Sequence, residues 1–114
     1  MIELSDPEDV KIVALARSAR ARTRAAEGAC VRDTDGRTYA AATVDLKSLK
    51  LSAVQVAVAM AASSGAQSLE AVAVLGESTA TNETDLAVVR DFTGPGVTFL
   101  VASSDGSVLE SVAT

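Results

Sequence analysis

Apolar and polar positions follow a helical rhythm at the start of the chain. Ser5 or Asp6 can cap a helix, and Pro7 suits its first turn. Apolar and small residues then recur every three or four positions as far as residue 26, and Gly28 is a natural stop. Acidic residues stand at the start of this segment and arginines near its end, as the helix dipole favours. The pattern predicts a first helix that ends before Gly28.

The rhythm then shortens to that of β-strands. Two β-prone runs, near residues 29–33 and 37–44, flank Asp35-Gly36, a dipeptide that is typical of a hairpin turn. We therefore predict an antiparallel hairpin here, although the acidic residues superficially resemble the start of a calcium loop. Residues 45–50 are predicted to form a polar connection.

The segment from Leu51 to Ser64 reads LSAVQVAVAMAASS and is apolar on nearly every side. Its length and composition predict a helix, which Gly65 ends. A helix without a polar face is typical of an element that is buried on more than one side. We expect this helix to pack against a sheet and also against a partner subunit.

Alternating elements complete the chain. Residues 69–75 and 97–102 are predicted strands, and the short helix predicted between them at 83–92 is halted by Gly94-Pro95. A Ser-Asp-Gly turn follows, and a final strand after it is left open. Strand–helix–strand units imply right-handed crossovers and some parallel pairing. We predict one domain over residues 1–114, a three-layer α/β/α fold with a mixed sheet of about five strands.

Composition narrows the chemistry that is available. Hydrophobic residues make up 48% of the chain, enough for a core, and aromatic residues only 3%. There is no histidine, and Cys30 is the single cysteine. Serine–histidine and cysteine–histidine nucleophile pairs are therefore excluded, as is a zinc site of nitrogen and sulfur ligands within one chain. We expect Cys30 to be a small core residue in a reducing cytoplasm.

Charge is distributed unevenly along the chain. The net charge of −5 argues against nonspecific nucleic-acid binding by the whole surface. Half of the basic residues nevertheless lie in one early segment: Lys11, Arg17, Arg20, Arg22 and Arg24. No secretory leader is visible, and no apolar run reaches the roughly 20 residues that a membrane span needs. We expect a cytoplasmic protein with no membrane partner.

The order of segments carries a resemblance over nearly the whole chain. The matching positions are Gly28-Ala29, Asp35-Gly36, Thr43-Val44-Asp45-Leu46, Ser52-Ala53-Val54, Ala71 to Leu75, Thr81 to Asp85, and Asp91-Phe92. In this order and register the chain resembles the small cytidine deaminases. The resemblance implies their α/β/α fold and a homotetrameric assembly with sites at subunit contacts. No single motif of that family is intact.

The resemblance also implies which positions would carry chemistry. Zinc deaminases need three cysteine or histidine ligands and a glutamate that moves protons to and from the attacking water. Ser52, Asn82 and Asp85 stand at the ligand positions, and Val54 stands at the glutamate position. A hydroxyl, an amide and one carboxylate do not replace thiolates, and valine carries no proton. We expect no zinc, no other cofactor and no catalytic residue.

Positions that would contact a nucleoside are changed as well. Thr43 and Asp45 stand where the family has its ribose-binding asparagine and glutamate, and Ala25 replaces the aromatic residue that stacks on the base. Ordinary structural roles account for the residues present. Asn82 and Asp85 have the spacing of a capping box, and Ser52 suits a helix entry.

These features favour a catalytically inactive deaminase-like protein, a pseudoenzyme that acts as a homo-oligomeric interaction module, dimeric or tetrameric. Two alternatives stay open. One is a non-catalytic binder of a nucleoside-like ligand in a remnant pocket formed by Thr43, Asp45, Ser52, Asn82 and Asp85. The other is an RNA or anion binder that uses Arg17, Arg20 and Arg24; another protein partner is equally open. A residual cytidine deaminase is the least favoured interpretation.

Overall fold

The computed structural model describes residues 1–78 and 80–114. Within these residues the chain forms three helices and seven strands. In chain order they are α1 (Pro7–Thr23), β1 (Glu27–Asp33), β2 (Thr38–Ala42), β3 (Val44–Leu46), β4 (Leu49–Leu51), α2 (Ala53–Ser63), β5 (Leu69–Gly76), α3 (Glu83–Thr93), β6 (Thr98–Ser103) and β7 (Val108–Ala113).

Five of the strands form one mixed sheet in the order β2-β1-β5-β6-β7. β1 is antiparallel to both of its neighbours, so that Cys30 lies opposite Ala40 on one side and Ala73 on the other. β5 and β6 are parallel and are connected through α3, and β7 closes the edge in the antiparallel sense. The predicted mixed sheet of about five strands is confirmed, and the strand that the sequence left open is β7.

The helices cover both faces of the sheet. Ile12 and Ala16 of α1 pack on Cys30, Leu75 and Leu100 on one face. α2 and α3 pack on the other face, where the buried residues include Val54, Ala57, Val72, Val89 and Phe99. The result is the predicted three-layer α/β/α arrangement. Because the core on both faces consists mostly of alanine, valine and leucine, the layers approach closely.

The first helix ends earlier than its periodicity predicts. α1 stops at Thr23, because Arg24 takes a left-handed conformation with φ 55° and its N–H bonds to the carbonyl of Arg20. Gly28 is therefore not the helix stop but a residue of β1. A Cβ atom there would lie 2.0 Å from the carbonyl oxygen of Ala16. Gly28 lets the α1 backbone lie directly on the strand.

Residues 45–50 are not a polar connection, as the sequence predicted, but most of a small hairpin. β3 and β4 pair antiparallel, with Asp45 opposite Lys50. Leu46 is 60% exposed and Leu49 is 48% exposed. Sequence patterning missed this hairpin because two three-residue strands with exposed side chains show no alternation of buried and exposed positions.

The α2 helix buries only one of its apolar sides. Val54, Ala57 and Ala61 are fully buried against the sheet. The exposed residues of this helix include Ala59 and Met60. The exposed surface of α2 therefore carries no charged residue.

Of the helices in the described part of the chain, none combines the length and the hydropathy needed to cross a bilayer.

Candidate functional site

The N-termini of α2 and α3 meet at one end of the sheet. Ser52 caps α2 and Asn82 caps α3. Between them, the Ser52 hydroxyl donates a hydrogen bond to Oδ1 of Asp85 at 2.6 Å, across 33 residues of sequence. This contact brings together two of the three positions that the resemblance assigns to metal ligands.

The Ser52 hydroxyl group both accepts and donates a hydrogen bond within the protein. Its Oγ accepts from the N–H of Gln55 at 3.1 Å, while its own N–H donates to Oε1 of Gln55 at 2.8 Å. These reciprocal bonds form a complete capping box. The same Oγ donates to Asp85, so both its donor and one acceptor site are occupied by the protein itself.

Asn82 begins α3 but forms only half of the predicted capping box. Its Oδ1 accepts from the N–H groups of Thr84 at 2.8 Å and Asp85 at 3.3 Å. The Asp85 side chain does not return to the Asn82 backbone, because it turns toward Ser52 instead. The amide oxygen of Asn82 is thus committed to capping the N-terminus of α3.

Glu27 joins this group, and the sequence analysis missed it. It is the first residue of β1 and lies opposite Gly76, the last residue of β5. Its carboxyl group is close to the N–H of Ala53 and to Asp85. The sequence does show a carboxylate at the start of an otherwise buried strand, which indicates a functional candidate. The pattern of one strand does not show, however, that this carboxylate lies close to Ala53 and Asp85.

The two carboxyl groups hold protons more tightly than usual. Burial raises the pKa of Glu27, and the nearby charge of Asp85 raises it further, while the N–H of Ala53 opposes the shift. Burial also raises the pKa of Asp85, against the hydrogen bond from Ser52. No cation is among the causes of either shift. The site is acidic and poorly hydrated.

The remaining predicted site residues lie outside the Ser52–Asp85 contact. Thr43 is tied to Glu27: its Oγ1 accepts from the Glu27 N–H at 3.0 Å. Asp45 is exposed on the β3–β4 hairpin, where it pairs with Lys50 Nζ at 2.5 Å. Val54 is fully buried in the core.

The early arginines lie beyond the opposite face of the sheet. Arg17, Arg20 and Arg24 recur at intervals of three and four residues along α1 and its C-cap, so they share one side of that helix. Arg20 Nε donates to the carbonyl of Ala26 at 3.1 Å. This group is separate from the Ser52–Asp85 site.

Comparison with known proteins gives the chain its family. Residues 5–106 match the family model described as "Cytidine deaminase-like". The chain belongs to this family. Among curated proteins, no sequence gives a significant match.

Solved structures share the fold at low sequence identity. The cytidine deaminase from Burkholderia pseudomallei superposes with a TM-score of 0.79 at 21% identity, with 90% of each chain covered. That from Mycobacterium leprae gives 0.72 at 20% identity over 91% of this chain and 93% of the other. That from Mycobacterium tuberculosis gives 0.71 at 24% identity over 82% and 85%. At these identities the likeness establishes the fold.

The donor set does not fit the zinc ion that the family resemblance implies. A structural or catalytic zinc site is built from thiolates, imidazoles and carboxylates. Here the Ser52 hydroxyl and the Asn82 amide oxygen both serve helix ends, and the Asp85 carboxylate binds Ser52. Only one of the three groups, the Asp85 carboxylate, is a normal zinc ligand.

Proposed function

We propose that this chain is a cytidine deaminase-like protein without deaminase activity that acts as a homo-oligomeric interaction module. The observation that carries the proposal is the 2.6 Å hydrogen bond from Ser52 Oγ to Asp85 Oδ1. Two positions that would hold a metal in an active relative satisfy each other instead.

The proton-transfer position supports the same proposal. Val54 is fully buried in the cluster beneath α2 and has no group that exchanges a proton. The acidic groups nearby are Glu27 and Asp85, and the resemblance assigns neither of them to the proton-transfer position.

The interaction role is supported by exposed apolar side chains on the β3–β4 hairpin and on α2. Leu46 and Leu49 of the β3–β4 hairpin are exposed, and Met60 on the outer side of α2 is 39% exposed. β4 leads into α2 through Ser52 alone, so the hairpin adjoins the first turn of this helix. A second copy that covers this region would explain why α2 lacks a polar side.

The chemical half of the proposal is tested by metal content and activity. The purified chain is expected to contain far less than one zinc per chain and to leave cytidine and deoxycytidine unchanged. Elemental analysis and an absorbance assay measure this, with an active bacterial cytidine deaminase as the positive control. Near-stoichiometric zinc that survives mild chelation would contradict the proposal.

A nucleoside-binding role is the competing proposal and is tested on the same sample. Calorimetric titration with cytidine is expected to give no heat of binding, because Ser52 and Asp85 would have to break their mutual bond to accept a ligand. Saturable binding that Asp85→Ala abolishes would favour the remnant-pocket alternative instead.

A further inference from the structure

A groove runs along the exposed side of α1, far from the Ser52–Asp85 site. It has a volume of about 540 Å³ and lies between the helix and the turn that connects β6 and β7. Val10, Val13, Ala14 and Ala21 make its apolar lining, and Asp105 and Gly106 of the turn form its other wall. A second cavity of about 410 Å³ shares several of these residues and continues toward the N-terminal residues.

The groove has the dimensions of a helix-binding site. Val10 and Ala21 are eleven residues apart, which corresponds to about 17 Å along a helix axis. Val10, Ala14, Arg17 and Ala21 follow one another at intervals of three and four residues. The small side chains at Ala14 and Ala21 leave room for a second helix to lie close. Val10, which is 50% exposed, offers it an apolar contact.

The side of α1 that runs along the groove is basic toward its C-terminal end, although the chain as a whole is acidic. Arg17 lines the groove, with its aliphatic stem against the turn: a Cβ atom at Gly106 would lie 3.6 Å from Arg17 Cδ. Arg20 and Arg24 extend the same side of the helix. Within residues 1–78 and 80–114, the ion pairs involve other basic residues, Arg32, Lys50 and Arg90.

Asp105 stays ionised and offsets part of this basic charge. Its carboxylate accepts hydrogen bonds from the Ser103 hydroxyl at 2.5 Å and the Ser107 N–H at 2.9 Å. Those two groups, followed by the charge of Arg17, hold the pKa of Asp105 at about 2. The carboxylate is committed to the turn, while three guanidinium groups stand along one helix side. One carboxylate against three guanidinium groups leaves this helix side with a net positive charge.

We propose that this groove binds an acidic amphipathic helix of a partner protein, with its apolar side on Val10, Ala14 and Ala21 and its carboxylates against Arg17, Arg20 and Arg24. This proposal deepens the proposed interaction role by naming the class of partner. RNA fits less well, because base stacking needs exposed aromatic side chains. The chain has three aromatic residues, Tyr39, Phe92 and Phe99, and the groove lining contains none of them.

The test uses a designed peptide as the probe. It is a fluorescein-labelled alanine-based peptide of about 14 residues, with leucine every three or four positions and glutamate on the flanks. Fluorescence anisotropy is expected to show saturable binding by the full chain at low salt, weakened as salt rises. Two matched peptides serve as controls, one with lysine in place of glutamate and one with glutamine in place of leucine. Both are expected to bind at least about tenfold more weakly.

Variants locate the site. Arg17→Glu reverses the charge in the groove, and Ala14→Gln fills its floor without changing charge; each is expected to weaken binding about tenfold or more. Arg22→Glu is the matched control, because Arg22 lies about 140° around the helix from Arg17. It is expected to change affinity less than threefold. Circular dichroism verifies that all three variants keep the fold.

Several results would overturn the proposal. They are the absence of peptide binding, equal binding of the lysine peptide, or equal losses from Arg17→Glu and Arg22→Glu. Tighter binding of single-stranded oligouridylate than of the acidic peptide, lost in Arg17→Glu, would assign the surface to RNA. Met60→Glu is expected to leave peptide affinity unchanged. The peptide assay therefore tests the groove on α1 separately from the proposed homo-oligomer through α2.

Discussion

The two ends of β1 both hold charged groups out of water, but they do so in opposite ways. At its C-terminal end, Arg32 pairs with Asp9 at 3.1 Å and with Glu70 at 2.6 Å. Asp33 beside it accepts from the Tyr39 hydroxyl and from the N–H groups of Asp35 and Arg37. At the N-terminal end, Glu27 and Asp85 form no ion pair within residues 1–78 and 80–114, and no cation contributes to the pKa shift of either group.

The pKa values of the carboxyl groups at the two ends shift in opposite directions. Burial alone would raise the pKa of Asp33, but the hydrogen bonds from Tyr39, Arg37 and Asp35 outweigh it and the pKa lies below its ordinary value. Burial raises the pKa of Asp85, where one hydroxyl donor does not compensate. The surroundings at the C-terminal end of β1 stabilise the ionised carboxylate, whereas those at the N-terminal end destabilise it. The carboxyl groups of Glu27 and Asp85 are therefore buried without full compensation.

The strongest test of the comparison adds a third carboxyl group to the uncompensated end. Val54→Glu places an acid in a fully buried position beside Ser52 and near Asp85. We expect a loss of several kcal/mol, through desolvation or proton uptake. For a domain of this size the melting temperature falls by about 4–8 °C per kcal/mol. Thermal unfolding measures it.

Val54→Leu is the control for volume, and it is expected to cost less than the glutamate. An unchanged melting temperature in Val54→Glu would mean that the position faces a water-filled cavity. That result would undo the proposal of a closed site and would also favour the remnant-pocket alternative.

The next largest effect is expected at the compensated end. Arg32→Ala leaves Asp9 and Glu70 without their cation, and we expect a loss of about 1–3 kcal/mol, because the acidic partners are partly exposed. Urea unfolding measures the change. Lys50→Ala, which removes an ion pair between two exposed side chains, is the matched control and should cost less than about 1 kcal/mol. Equal costs would show that burial adds nothing at Arg32.

A smaller effect of opposite sign is expected for Glu27→Gln near neutral pH. A carboxyl group whose folded-state pKa is raised favours folding while protonated, and that contribution is lost as pH rises through the folded pKa. Removing the charge is therefore expected to raise stability at neutral pH by no more than about 1 kcal/mol, given partial exposure. The gain should disappear below about pH 4, where the unfolded chain is also protonated.

Asp33→Asn should show the reverse dependence on pH. A lowered folded-state pKa contributes stability above the ordinary pKa, which is lost as pH falls through the folded value. Asp33→Asn is therefore expected to cost most at neutral pH and least in acid. Parallel stability–pH curves for Asp33→Asn and Glu27→Gln would refute the contrast between the two ends of β1.

The smallest effect on folding is expected on the apolar surface, where assembly is the readout. Leu49→Glu and Met60→Glu should change the unfolding of an isolated subunit by about 0.5 kcal/mol or less, yet dissociate the proposed oligomer. Light scattering with sedimentation measures the mass. Leu109→Glu, at an exposed leucine of β7, is the control that should leave assembly intact. A wild-type monomer of 11.6 kDa at high micromolar concentration would contradict the oligomer.

Helices and strands with a long apolar pattern could be predicted from the sequence. Features that depend on the conformation or the contacts of a single residue could not. Residues 69–75 and the helix at 51–64 were predicted within two residues, because long apolar patterns report burial directly. The predicted end of α1 was wrong, because the left-handed conformation of Arg24 leaves no trace in the periodic pattern of apolar residues. The Ser52–Asp85 contact joins residues 33 apart, and only the fold brings them together.

Cys30, buried between α1 and the sheet, gives the molecule a kinetic reporter. Its side chain is fully buried, and burial raises the pKa of the thiol to about 11. A thiol reagent therefore reacts with it only after α1 has moved away from the strand. With no second cysteine to compete, the labelling rate of the intact chain measures how often the helix layer opens. A ligand in the groove along α1 would slow that opening, so a lower labelling rate at Cys30 would report its binding.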